Sequence, residues 1–212
     1  HPEIDLVVRN EGEITMQEIC KLYLRGEGSL DNIKGIAYRN EATVVNNPVR
    51  PLIQDLDKLP FPARHLLPLD QYKIPGTLIT SRGCPSQCVF CAAKAMSGGT
   101  YRIRSPNNVL AEIDEMKRRF NPPFYFIADD TFTVFHDRTR KICEGLKKMG
   151  LRWLCESRAN FVNRDLLSTM AESGCFGIQF GMESGSQTVL NSIRKGITVD
   201  QVRNAAKWAR EL

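Results

Sequence analysis

The chain has 212 residues, of which 42% are hydrophobic and 25% charged, and a formal net charge of +5. This length can bury the core of one large domain, or of a domain with an appendage, and the composition is that of a globular protein rather than a disordered or fibrous one. No apolar run approaches the roughly 18 residues of a membrane-crossing helix and no signal-peptide pattern is present, so no membrane partner is expected.

The basic clusters Arg102/Arg104, Arg118/Arg119 and Lys147/Lys148 alternate with acidic residues. They read as solvated helix faces rather than as a nucleic-acid surface. Of the seven cysteines, Cys20, Cys143, Cys155 and Cys175 are scattered through apolar settings and read as reduced core thiols, which points to a cytoplasmic location. The chain opens on His1-Pro2 and stops inside a helical pattern, so it reads as a piece of a longer protein.

In chain order, Asp5–Val8 is a short buried-strand pattern, and Thr15 is a candidate cap for a helix carrying Ile19, Leu22 and Leu24. One strand and one helix cannot bury a core alone, so residues 1–27 must pack on something. Residues 28–75 read as a connector. Ile36–Tyr38 and Thr43–Val45 predict a β-hairpin, and the prolines at 48, 51, 60, 62, 68 and 75 exclude long helices.

From Gly76 onward strands and helices alternate. A strand over 77–81 leads into the cysteine-rich loop. The helix after it opens on Ser105-Pro106, an N-cap followed by proline at the first helical position, and places Val109, Ile113, Met116 and Phe120 on one face. A strand at 124–128 ends in Asp129-Asp130, and its helix, opening after Asp137, stops at Gly150. A third strand, 152–158, precedes a helix that stops at Gly174, and a fourth, 175–183, precedes a helix over about 186–194. The last helix opens with a capping box from Thr198 to Gln201 and an Ile197/Val202 staple. Four consecutive βα units imply a parallel sheet covered by helices. Periodicity alone leaves an open doubly wound sheet and a partial (β/α) barrel unseparated.

In parallel βα folds reactive groups gather at the carboxyl ends of the strands. Those ends carry Cys84, Cys88 and Cys91 after the first strand, Asp129/Asp130 after the second, Ser157/Arg158 after the third and Glu183 after the fourth. The C-x3-C-x2-C spacing lets three thiolates converge on one metal centre, because the loop between them is short. Three is one fewer than a structural zinc site or an ordinary iron–sulfur cluster takes from the protein. The residues alone leave open a zinc site with a distant fourth ligand, or a disulfide pair with a spare thiol.

This spacing, with Phe90 directly before the last cysteine, resembles the signature of the radical S-adenosylmethionine (radical SAM) enzymes. The resemblance implies that Cys84, Cys88 and Cys91 hold a [4Fe-4S] cluster whose fourth iron binds SAM, on an α/β partial barrel with about four βα units here. Asp130 would meet the methionyl amino group, Ser157 and Arg158 the SAM carboxylate, Glu183 the ribose hydroxyls, and Phe90 the adenine side. The family usually has an aromatic residue where this chain has Ser86. The implied chemistry is reductive cleavage of SAM to a 5′-deoxyadenosyl radical, in support of methylation or rearrangement of an unknown small-molecule substrate. The electron donor would be a ferredoxin or flavodoxin.

Arg9–Thr15 resembles the end of the N-terminal cobalamin-binding domain of one radical SAM subclass, with Asn10 in place of the usual glycine. The run Leu59-Pro60-Phe61-Pro62-Ala63-Arg64 resembles the linker that follows it. The implied organisation is a cobalamin-domain tail over 1–27 (a strand–helix remnant), a proline-rich linker with a β-hairpin over 28–75, and a barrel over 76–212, with cobalamin bound by the full-length parent. The competing expectations are a non-catalytic Fe–S or zinc module and an RNA-modifying radical SAM relative. The piece alone is expected to self-associate along its last strand.

Overall fold

The computed structural model describes every residue except Pro2. The chain forms two compact units, residues 1–54 and 55–212. In the first, β1 (Leu6–Val8), β2 (Ile36–Asn40) and β3 (Thr43–Asn46) make an antiparallel sheet in that order. The helix α1 (Glu13–Arg25) buries Ile19 against Ile33, Ile36 and Tyr38. The hairpin therefore does not belong to a separate connector. It pairs with β1 through Leu6 opposite Tyr38 and so supplies the sheet that one strand and one helix lacked. Thr15 is not a cap. Gly12 caps the helix, and Thr15 is buried one turn inside it, donating from Oγ1 to the Lys34 carbonyl at 3.2 Å and accepting from Arg50 Nε at 2.8 Å.

In the second unit, β4 (Thr77–Leu78) is followed by β5 (Ser81–Arg82), α2 (Ala93–Ser97), β6 (Arg102–Ile103) and α3 (Pro106–Arg119). The remaining elements are β7 (Tyr125–Ile127), α4 (His136–Met149), β8 (Trp153–Ser157), α5 (Arg164–Glu172), β9 (Cys175–Phe180), α6 (Gln187–Ser192) and α7 (Val199–Glu211). The main sheet is parallel in the order β4-β7-β8-β9, which is sequence order. A doubly wound sheet reverses its strand order at the midline. Here the winding never reverses, so every right-handed crossover lays its helix on the same face, as in a (β/α) barrel.

Residue alternation fixes that face. Trp153, Cys155 and Ser157 of β8 are buried, together with Ile113, Ile142, Leu146 and Leu166 of the surrounding helices, while Leu154 and Glu156 point the other way and are half-buried. The expected caps at Ser105 and Thr198 are present. Ser105 Oγ accepts from Asn108 N at 3.2 Å, and the Thr198–Gln201 capping box is reciprocal.

Three further expectations change. The first strand is interrupted between 78 and 81, and its second half turns to pair antiparallel with β6. The compact units meet at 54/55, not at 27/28 and 75/76. Residues 55–75 pack on the second unit because Asp57 Oδ1 accepts from Ser105 N at 2.9 Å and Arg64 pairs with the buried Glu112 at 2.6 Å. Arg102 is buried and Arg104 half-buried rather than both being solvated, and Arg104 also pairs with Glu112.

Candidate functional site

The cysteine loop leaves β5 through Gly83, whose φ is +90° and where an added Cβ would sit 2.1 Å from the Thr100 carbonyl oxygen. Only glycine fits both the backbone angle and the space. Beyond it, Cys84 Sγ lies 3.6 Å from Thr131 Oγ1 in the loop that follows β7. Cys91 N donates to the Cys88 carbonyl at 3.3 Å, folding the last two cysteines into one turn, and Ala93 N donates to Cys91 Sγ at 3.4 Å. Val89 N donates to the Ile193 carbonyl at 3.1 Å, which ties the loop to the end of α6.

The three cysteines line an open cavity of about 190 Å³, and Phe90, Asp130, Ser157, Arg158 and Glu183 line the same cavity. The structure thus brings the three cysteines, Phe90, Asp130, Ser157, Arg158 and Glu183 to one place, at the carboxyl ends of the parallel strands, and leaves Asp129 outside it. Arg158 is buried. Its Nη1 donates to Cys88 Sγ at 3.3 Å and its Nη2 donates to the Lys195 carbonyl. The Ser157 hydroxyl is buried against Thr133 Oγ1 at 2.5 Å. Asp130 is exposed at the rim, whereas Asp129, one residue earlier, is buried beneath the loop.

Glu183 sits at φ 61°, a left-handed conformation that a non-glycine residue holds only under constraint. Its carboxylate is held by Lys195, whose Nζ donates to Glu183 Oε1 at 2.8 Å. A Cβ at Gly181 would come 3.0 Å from both partners, so the ion pair lies closely against this glycine. Lys195 is 5% exposed and its ammonium stands 5.8 Å from the centre of the Phe90 ring. Sequence reasoning passed over it. In Arg194-Lys195-Gly196 it looks like an ordinary cation at a helix end, and only the fold turns it inward. Glu156 and Gln179, opposite each other on β8 and β9, also line the cavity.

The scattered cysteines divide. Cys143 and Cys155 are buried as expected and Cys175 is half-buried, but Cys20 is exposed on α1. Among the described residues no three His, Cys, Asp or Glu side chains crowd round a single point. The three loop cysteines line the cavity without closing on one point.

The model of the Radical SAM superfamily matches residues 78–212. The chain belongs to the radical SAM superfamily. It is 39% identical to an uncharacterised methyltransferase of Pyrococcus horikoshii over 99% of its own length and 47% of the relative's. It is 30% identical to the cytidylyl-2-hydroxyethylphosphonate methyltransferase of Streptomyces wedmorensis over 100% of its length and 46% of that enzyme's. The structure of OxsB, a cobalamin-dependent radical SAM enzyme with aqua-cobalamin and SAM bound, superposes with a TM-score of 0.74 at 27% identity, covering 96% of this chain and 31% of that one. The chain thus spans about half the length of the curated relatives it matches. Radical SAM enzymes use a [4Fe-4S] cluster and SAM, and the residues here suit both. The three cysteines line one cavity, an arginine and a backbone amide donate to the sulfurs of Cys88 and Cys91, and hydrogen bonds to sulfur are one means by which proteins tune such clusters.

Proposed function

We propose that Cys84, Cys88 and Cys91 hold a [4Fe-4S] cluster and that the cavity beside them receives SAM, making residues 55–212 the radical-generating part of a larger enzyme. The observation that carries this reading is the convergence of the three thiols, Arg158 and Glu183 on one cavity at the carboxyl edge of the sheet. When bound, the cluster and SAM supply one-electron reductive cleavage of the SAM carbon–sulfur bond, which yields methionine and a 5′-deoxyadenosyl radical.

The chain's own residues bind, orient and shield. Arg158 has the donor fork that suits a carboxylate, and its hold on the Lys195 carbonyl fixes where that fork points. Ser157, pinned by Thr133, offers its remaining hydroxyl valence on the same side. Glu183 is aimed by Lys195 and can accept from two vicinal hydroxyls. Asp130, at the rim, has acceptors for an ammonium group, and Phe90 presents an apolar face to a purine.

The full-length protein, on this reading, uses the radical to methylate or rearrange a small-molecule substrate. The methyltransferase relatives favour methylation. A cobalamin domain ending within residues 1–27, a ferredoxin or flavodoxin as electron donor and a cytoplasmic location complete the proposal. No helix among the described residues is long and apolar enough to cross a membrane.

Anaerobic reconstitution tests it. The chain should take up about four irons and four sulfides, as one [4Fe-4S] centre requires. Changing Cys84, Cys88 or Cys91 to Ala should abolish that uptake, and changing Cys20 or Cys143 should not. Stoichiometric zinc without sulfide would instead identify a zinc module, and a full cluster that never cleaves SAM in the full-length protein an electron carrier.

A further inference from the structure

The polypeptide just upstream of Cys84 is held from both sides by buried charge. On its carbonyl side, Arg64 Nη2 donates to Thr77 O at 3.0 Å, Arg104 Nη1 to Ile79 O at 2.9 Å and Arg138 Nη2 to Thr80 O at 2.7 Å. On its donor side one carboxylate takes everything. Asp129 Oδ1 accepts from Thr80 N at 2.5 Å and Ser81 N at 3.1 Å, and Oδ2 accepts from Thr80 Oγ1 at 2.5 Å and Ser81 Oγ at 2.6 Å.

A carboxylate offers about four lone-pair sites. Those of Asp129 are all engaged, and the residue is 1% exposed. It therefore has nothing left to offer a ligand, in contrast to Asp130 at the cavity rim. What it does hold is the bend at Thr80-Ser81, from which only Arg82 and Gly83 lead to the first cysteine. Burial drives the Asp129 carboxyl toward its protonated form, and the Ser81 and Thr80 donors and the Arg138 charge oppose that.

We propose that Asp129 is the positioning residue of the cysteine loop: through Thr80 and Ser81 it sets where Cys84 leaves the sheet, and so how the three thiols are presented to the cluster. The inference rests on the cluster reading above for its main readout, and the alkylation arm below does not.

Asp129→Asn keeps the shape but puts an amide NH2 against groups that now donate. Thr80→Val deletes one donor, and Thr80→Ser keeps it. Ile142→Val, in the core of α4, serves as a control for general loss of stability. Each full-length chain variant is reconstituted anaerobically with ferrous iron and sulfide. Release of iron to a chelator, the electron paramagnetic resonance spectrum of the reduced cluster and the melting temperature of the cluster-free chain are then followed.

Asp129→Asn and Thr80→Val should lose iron at least about tenfold faster than the unmodified chain, the range typical of lost outer-shell support, with an altered spectrum. Thr80→Ser should stay near the unmodified rate. Ile142→Val should melt lower yet hold its iron. Iron release at the unmodified rate from both Asp129→Asn and Thr80→Val overturns the proposal, as does equally fast release from Ile142→Val at a matched melting temperature. Should Asp129→Asn fail to fold, Thr80→Val against Thr80→Ser decides. If the unmodified chain takes up no iron, the cluster reading fails separately. Alkylation of Cys84 relative to the exposed Cys20 then tests Asp129: faster Cys84 labelling in Asp129→Asn supports the positioning role, and an unchanged ratio overturns it.

Discussion

At the scale of single residues, the site depends on positions that admit one side chain. Gly83→Ala combines a left-handed φ with a Cβ 2.1 Å from a carbonyl oxygen and 2.8 Å from Ser97 Cβ, so the backbone must shift. Strain and overpacking of this kind each cost roughly 1–3 kcal/mol. Gly83→Ala should therefore lower the unfolding free energy by at least about 2 kcal/mol in a urea melt. Gly177→Ala, whose Cβ would touch only Leu154 Cβ at 3.7 Å, should cost far less, and equal losses would refute the steric account. The thiols differ by their surroundings in the same way. Burial pushes the Cys143 thiol up to about 11, opposed in part by Ser173. Because the folded value lies above the unfolded one, its contribution to stability is intact below the ordinary thiol range and is lost as pH rises through about 11. At pH 8 the group is a thiol, not the reactive thiolate. Peptide mapping after brief iodoacetamide treatment at pH 8 should find Cys20 and Cys91 modified and Cys143 and Cys155 untouched, and early labelling of Cys143 would contradict its burial.

At the scale of elements, the strap formed by residues 55–75 is fastened to α3 by one buried carboxylate between two arginines, since Glu112 pairs with both Arg64 and Arg104 at about 2% side-chain exposure. Arg104 also has Phe61 of the strap beneath it, with the guanidinium carbon 5.6 Å from the ring centre. Removing one member of a buried ion cluster strands the others, at about 3–5 kcal/mol. Glu112→Ala should cost on that order in a denaturant melt and should open residues 55–75 to limited proteolysis. Retained protection there would mean that the apolar contacts of the strap suffice. The sequence could not show this junction, because Arg64 and Glu112 are far apart in the chain and each alone resembles a surface charge. What it did show follows local rules. The βα alternation, the caps at Ser105 and Thr198 and the glycine stops at Gly150 and Gly174 depend on neighbours within a turn or two, and each is where it was expected. The cysteine loop was legible for the same reason, its three cysteines lying within eight residues. The short α2 and the β5–β6 pair were not, because two-residue strands carry no period to read. The choice of barrel over open sheet was equally hidden, since strand order is a long-range property, and so was Lys195, which only the turn after α6 brings under Phe90.

At the scale of the whole chain, the cavity and the sheet edge point to the same consequence. A volume of about 190 Å³ falls short of the roughly 300–1,000 Å³ of sites that enclose a drug-sized ligand, so SAM would stand partly in solvent. Leaving about 100–150 Å² of largely apolar adenine surface uncovered, at about 25 cal/mol per Å², forgoes on the order of 3 kcal/mol. Calorimetry should therefore find SAM bound about two decades more weakly by this chain than by the full-length protein. The strand that would wall that side of the cavity is the neighbour β9 lacks. β9 is bonded to β8 on one side, and among the described residues no strand pairs with its other side. Phe176 is 49% exposed on that strand, and Leu167, Met170, Ile178, Ala209 and Leu212 line an apolar cleft beside it. An unpaired edge with apolar side chains is a template for another chain. Light scattering at tens of micromolar should accordingly register a dimer or larger species, and Phe176→Lys, which sets a charge on the edge, should return it to monomer. A chain that is already monomeric and binds SAM as tightly as the full-length protein would mean that β9 is a finished edge and that these residues close the pocket by themselves.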